Sequence, residues 1–227
     1  MQYHNIIEGV FVSRPNRFVA HVLINGQQEI CHVKNTGRCK ELLIPGVRVW
    51  LQIADNPARK TLYDVIAVEK NGQVVNIDSQ VPNKIFSEWV QSGGLGEELS
   101  ILKPEQVWGK SRFDFYFETK AGQKGYAEVK GATLEQEGAC FFPDAPTERG
   151  VKHLKELIAC RQQGYRAMVC FVIQMEKVHS FSPNEVTHPE FARTLRQAKE
   201  NGVEILAQSC VVKPDKIYIG KAVPVIL

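Results

Sequence analysis

The ten residues YRAMVCFVIQ, positions 165–174, carry almost no polar side chain. A strand of that kind needs cover on both faces, and such strands belong to parallel sheets flanked by helices. The segment before it supplies one cover. In TERGVKHLKELIACRQQG, Val151, Leu154, Leu157 and Ile158 fall on one helical stripe, and Gly164 closes the helix. A helix beginning near Thr147 and running into a buried strand implies a right-handed crossover from a parallel strand upstream.

That upstream strand lies in SRFDFYFETKAGQKGYAEVKG, residues 111–131, which reads as two strands joined by a turn. Side chains alternate between faces, so Phe113, Phe115 and Phe117 share one face, and Arg112, Asp114, Tyr116 and Glu118 the other. On the second strand Ala127 and Val129 oppose Tyr126, Glu128 and Lys130. If paired residue numbers sum to an even value, Asp114 joins Glu128 and Lys130; a slip of one residue sends it to the opposite face. Two adjacent carboxylates repel and each tends to hold a proton. A divalent cation removes that conflict, and oxygen ligands suit Mg²⁺ or Mn²⁺ better than Zn²⁺. With a lysine beside them, the set outlines a phosphodiester-hydrolysis site. The bland alternative is a solvated strand face with an ordinary charge cluster.

The first eighty residues are rich in strand signals, at 6–13, 17–25, 28–34, 47–54 and 61–69, with Asn25-Gly26 and Asn71-Gly72 marking hairpins. NTGRCKELLIPG reads as a short helix from Arg38 to Leu43 ahead of the Pro45-Gly46 stop. Five strands with a helix between the third and fourth is the element order of an OB-fold. Character changes near Pro82, where NKIFSEWVQSGG reads as a helix capped by Asn83 and stopped by Gly93-Gly94. The expectation is an α/β chain, α+β overall. An OB-like β-barrel over residues 1–80 precedes a domain over 81–227 in the order helix, three strands, helix, strand.

The residues SRFDF, AEVKGATL and FFPDAPTERGVKHLKEL, with KNTGRCKELLIPG and GVEILA, resemble the signature blocks of the sugar fermentation stimulation protein A family. The resemblance spans most of the chain. It implies an N-terminal OB-like barrel, a C-terminal domain similar to the PD-(D/E)XK nucleases, and DNA binding. It makes Asp114 the motif's aspartate, Glu128 its second acid and Lys130 its lysine. It adds the carbonyl of Val129 as a metal ligand and Glu88, on the preceding helix, as an extra acid. The family name alone links the chain to sugar metabolism.

Further residues are candidates for gripping DNA without strong sequence specificity. Arg149, Lys152, His153 and Glu156 form a polar stripe at the start of the long helix, near the end of the strand carrying Lys130. Arg112 lies in the SRFDF block. Arg38 and Lys40 sit by the barrel's short helix, with Arg14 and Arg17 near its first turn and Phe18 or Trp50 as stacking partners. Each has an ordinary reading as a surface charge or core ring. The net charge of +3 decides nothing between them.

LRQAKENGVEILAQ imitates a helix-turn-helix, but VEILAQSCVV is strand-like, so a helix ending at Gly202 followed by a strand is the simpler reading. The six cysteines show no zinc spacing and read as reduced core residues. With no apolar run of membrane-spanning length, a cytoplasmic protein is expected. Two functions follow: a metal-dependent phosphodiesterase acting on DNA, or a non-catalytic DNA-binding regulator. A barrel binding small molecules or proteins is the third.

Overall fold

The computed structural model describes residues 1–56, 58–109 and 111–227. Five N-terminal strands close a barrel: β1 (Ile6–Asn16), β2 (Val19–Ile24), β3 (Gln27–Val33), β4 (Arg48–Ile53) and β5 (Tyr63–Lys70). Neighbours in β3-β2-β1-β4-β5 run antiparallel. Parallel pairing of His32 with Asp64 and Val33 with Val65 joins the two ends of that order. Alternation drives the closure. Ala20, Val22 and Ile24 on β2 point into the barrel, while Leu23 between them stays exposed. Asn25 and Gly26 both take positive φ, 50° and 82°, as a tight two-residue hairpin requires. A sixth strand, β6 (Gln73–Asn76), folds back on β5.

The short helix expected from Arg38 to Leu43 is a turn instead. Cys39 takes φ 45°, which cannot continue a right-handed helix, and a single turn closes from the Leu43 amide to the Cys39 carbonyl at 2.9 Å. Leu42 and Leu43 are buried in the core.

The second sheet has the order β15-β14-β12-β9-β8-β7. It contains β7 (Leu99–Trp108), β8 (Ser111–Thr119), β9 (Lys124–Ala132), β12 (Arg166–Ile173), β14 (Glu204–Lys213) and β15 (Lys216–Ala222). β12 runs parallel to both β9 and β14, the arrangement its apolar sequence demands. α1 (Val81–Gln91) covers one face, with the Phe86 ring 5.3 Å from Phe115. α2 (Glu148–Gln162) and α3 (Pro189–Glu200) cover the other, in a core that joins Leu154, Leu157, Phe171 and Leu195. Thr147 caps α2, its Oγ1 accepting the Gly150 amide at 3.1 Å. α3 ends at Glu200, Gly202 lies in the turn after it and β14 follows as a strand, so no second helix of a DNA reader exists there. A small sheet of β10 (Leu134–Gln136), β11 (Ala139–Phe142) and β13 (Ser180–Pro183) is an addition the sequence reading lacked. All six cysteines are buried thiols. No helix among the described residues is long and apolar enough to cross a membrane.

Polar contacts join barrel and sheet. Gln174 donates to Asn76 Oδ1 at 2.8 Å and to the Asp78 carbonyl at 3.0 Å, and its own carbonyl accepts the Asn76 amide. Lys70 on β5 reaches Glu135 on β10 at 2.7 Å. Burial pushes the Glu135 carboxyl up, but the Lys70 ammonium and the Gly138 amide outweigh it and hold it below its ordinary value. A depressed carboxyl stabilises the fold above its unfolded value, 4.5, and loses that contribution as pH falls through the lower folded value. Glu135→Gln should therefore flatten the acid limb of stability against pH in urea titrations, and an unchanged limb would contradict this assignment.

Candidate metal and phosphoryl site

On the β8–β9 hairpin, Phe115 lies opposite Ala127 and Tyr116 opposite Tyr126, the even register that places Asp114 level with Glu128. The paired ladder ends at Phe115, and the Asp114 side chain takes over. Its Oδ2 accepts the Val129 amide at 2.8 Å, at the junction between Glu128 and Lys130. Its Oδ1 accepts the Asn83 amide nitrogen of α1 at 2.9 Å. The expected common face for three phenylalanines holds only for Phe115 and Phe117, which join the α1-side core. Phe113 packs against Trp108, Tyr126 and His153 in the α2-side core, past the point where β8 stops pairing with β9.

Glu128 is only 2% exposed. Its Oε1 accepts Lys130 Nζ at 2.5 Å and a short hydrogen bond from His153 Nδ1. His153 Nε2 in turn accepts Arg149 Nε at 3.4 Å, which fixes the ring proton on Nδ1. The other oxygen, Oε2, is buried with no hydrogen-bond partner. Burial pushes the Glu128 carboxyl up, but His153 and Lys130 outweigh it and hold it below the usual range. Asp114 behaves oppositely. Burial and then the Glu128 charge raise its pKa, only partly offset by the Val129 amide and Asn83. Two neighbouring carboxylates, one of them with a buried oxygen that has no hydrogen-bond partner, are what a hard divalent cation would satisfy.

The remaining sequence candidates divide. Val129 lies within the site by position, its side chain buried. Glu88 is not brought there. Its carboxylate holds the N-terminal ammonium at 2.7 Å, and that ammonium also donates to the Ile217 carbonyl, at the other end of α1's packing face. His153 is buried against Glu128, so it is a partner of the acid and not an exposed phosphate contact. Arg149 and Lys152 are exposed on the first turns of α2, Lys152 lying 3.9 Å from Glu156. Arg112 is exposed and pairs with Glu105 across β7 at 2.6 Å. Arg38 and Lys40 are exposed and line a groove of about 710 Å³ with Arg17. Arg14 there is structural, donating to the carbonyls of Arg17, Asn35, Gly37 and Arg38. Trp50 is buried and bonded to Glu8, so it offers no stacking face, whereas Phe18 is 46% exposed under the Arg17 guanidinium.

Asn83 was missed as a site residue. It sits in the first turn of α1 and does not cap it, and nothing in its sequence neighbourhood marks an aspartate partner 31 positions away. A second cluster, Glu148, His188 and Glu190, gathers where α2 and α3 begin. His188 Nδ1 accepts the Thr147 amide at 3.1 Å, so the ring proton sits on Nε2, 3.4 Å from Glu148. A protonated nitrogen offers a metal no lone pair, so that cluster is a hydrogen-bonded helix junction.

A closed five-stranded barrel fused to a mixed sheet flanked by helices, with an acid pair and a lysine where its central hairpin splays, defines an OB domain joined to a restriction-endonuclease-like domain. Family models match both halves: the SfsA N-terminal OB domain over residues 12–77 and the sugar fermentation stimulation protein RE domain over residues 80–216. The chain belongs to the sugar fermentation stimulation protein family. It is 56% identical to the sugar fermentation stimulation protein homolog of Clostridium beijerinckii, over the whole of both chains. Its counterpart in Desulfitobacterium hafniense is 58% identical over 99% of this chain and 98% of that one. The solved structure of Pyrococcus furiosus SfsA in complex with Ca²⁺ superposes with a TM-score of 0.89 at 31% identity, covering 100% of this chain and 98% of that one.

Proposed function

We propose that this protein is a metal-dependent phosphodiesterase acting on nucleic acid, DNA in the first instance, with Asp114 and Glu128 holding the cation. The observation that carries the reading is Glu128 Oε2, a buried anionic oxygen without a partner. Leaving such a group unsatisfied is costly unless a ligand completes it. The Pyrococcus furiosus relative was solved with Ca²⁺, an ion with the same preference for oxygen donors as Mg²⁺ or Mn²⁺, which supports a hard-cation site here.

A bound cation supplies Lewis-acid charge and a lowered pKa for its water. The chain's own residues do the rest. Asn83 and the Val129 amide fix the Asp114 carboxylate, and His153 with Lys130 fixes Glu128 by its other oxygen. Lys130, about one-fifth exposed, places a positive charge where a phosphoryl group would gain negative charge. Arg149 and Lys152, exposed at the start of α2, would contact backbone phosphates, which carries no base preference.

Purified protein incubated with single- and double-stranded DNA and Mn²⁺ should nick or degrade it, and chelation of the metal should abolish the activity. Salt-sensitive binding with no cleavage under any divalent cation would instead make the chain a non-catalytic DNA-binding regulator.

A further inference from the structure

One cavity lies beside the candidate site and belongs to neither half alone. Its volume is about 210 Å³, and Asn35 of the barrel lines it together with Thr133, Phe141, Phe142, Asp144 and Gln174 of the second domain. Gly131, the residue after Lys130, forms part of its wall. A Cβ there would fall 2.6 Å from Gln174 Oε1 and 2.8 Å from Pro82 Cγ, so only glycine fits at that point of the wall. The cavity is far smaller than a drug-sized pocket and suits a single planar ring system.

Resting on the phosphodiesterase reading, we infer that this cavity is a nucleobase pocket, taking an unpaired base of the strand whose ester lies at Asp114, Glu128 and Lys130. The wall chemistry fits. Phe142 is anchored by Phe171 and Phe191, with ring centroids 5.4 and 5.2 Å away, and its half-exposed remainder, with Phe141, offers an aromatic surface. Asp144 Oδ2 accepts the Arg38 amide at 3.3 Å. A carboxylate has acceptor capacity for more than one donor, and the exocyclic amine of cytosine is a base donor it can accept from, whereas thymine offers no amine. Thr133 brings a hydroxyl. A base still paired in a duplex has spent its hydrogen-bonding edge and is held in the stack, so only an extruded or single-stranded base enters.

The surroundings give the strand a path. Thr36 and Gly37 line both this cavity and the neighbouring groove that carries Arg17, Arg38 and Lys40. A base in the cavity therefore has cationic side chains along the same edge for the next phosphates.

The test uses the whole protein with Ca²⁺ and short DNA oligonucleotides containing 2-aminopurine, single-stranded or fully paired. Thr133→Phe and Leu134→Trp each fill the cavity from its second-domain wall. Both should weaken single-strand binding about tenfold, in line with one lost stacked base, and abolish the change in 2-aminopurine emission, while duplex binding stays as in the wild type. Asp144→Asn should erase a preference for cytosine over thymine at that position. Plugged variants that bind single strands and alter the emission like the wild type would overturn the pocket and leave the phosphodiesterase reading standing. A wild-type protein with no affinity for any of these oligonucleotides would remove that reading and the pocket with it.

Discussion

Glu128→Gln is expected to lower Mn²⁺ affinity by more than the ten- to hundredfold, roughly, that loss of an outer partner costs. DNA cleavage should fall on the order of a thousandfold, the upper range for removing one electrostatic contact to a transition state. The substitution is conservative in shape. The amide oxygen can still accept from Lys130 and His153, the groups that hold Oε1 in the parent, so the hairpin should remain folded. What disappears is the charge on Oε2, the buried oxygen without a partner. His153→Ala probes the neighbouring layer. It leaves both carboxylates in place and frees one to rotate, so its loss should be intermediate. Calorimetric titration with Mn²⁺ separates the two, and a glutamine variant that binds the ion like the parent would remove Glu128 from the site.

Phe171→Ala should cost about 3–5 kcal/mol of folding stability, the range for deleting a large buried aromatic. Phe171 is fully buried on β12, at the centre of the second sheet. Its ring stacks on Phe181 at 4.2 Å and stands nearly perpendicular to Phe191 at 6.4 Å. Those partners come from β13 and α3, so deleting the ring removes packing from both elements at once. Urea unfolding measures the loss, and a cost below about 1 kcal/mol, usual for volume-conserving swaps, would mean the cluster repacks freely.

Much of this architecture was legible in local pattern. β12 announced itself by having no polar face, α2 by its apolar stripe and closing Gly164, and the hairpin turns by Asn-Gly pairs whose backbone angles few other residues adopt. Asp114, Glu128 and Lys130 were legible because two strands of known period share one register. Features set by distant partners were not. Glu88 sits on the right helix, yet it answers to the amino terminus 87 positions away. His153 follows a surface-like polar spacing, but α2 lies so close on β9 that one member of that stripe is pressed onto Glu128. Phe113 is buried in step with its strand, yet it joins the α2-side core while Phe115 and Phe117 join the other, which no periodicity encodes. The helix expected at 38–43 failed on one left-handed residue, Cys39.

The Gln174 contacts with Asn76 and Asp78 have a mechanical corollary. Asn76 also donates to the Tyr3 hydroxyl at 2.9 Å, so the weld reaches back to the first residues of the chain. Prising the barrel from its companion would strip several amides of their partners at once, a cost that disfavours jaw-like opening. The two halves should therefore melt together as one cooperative unit.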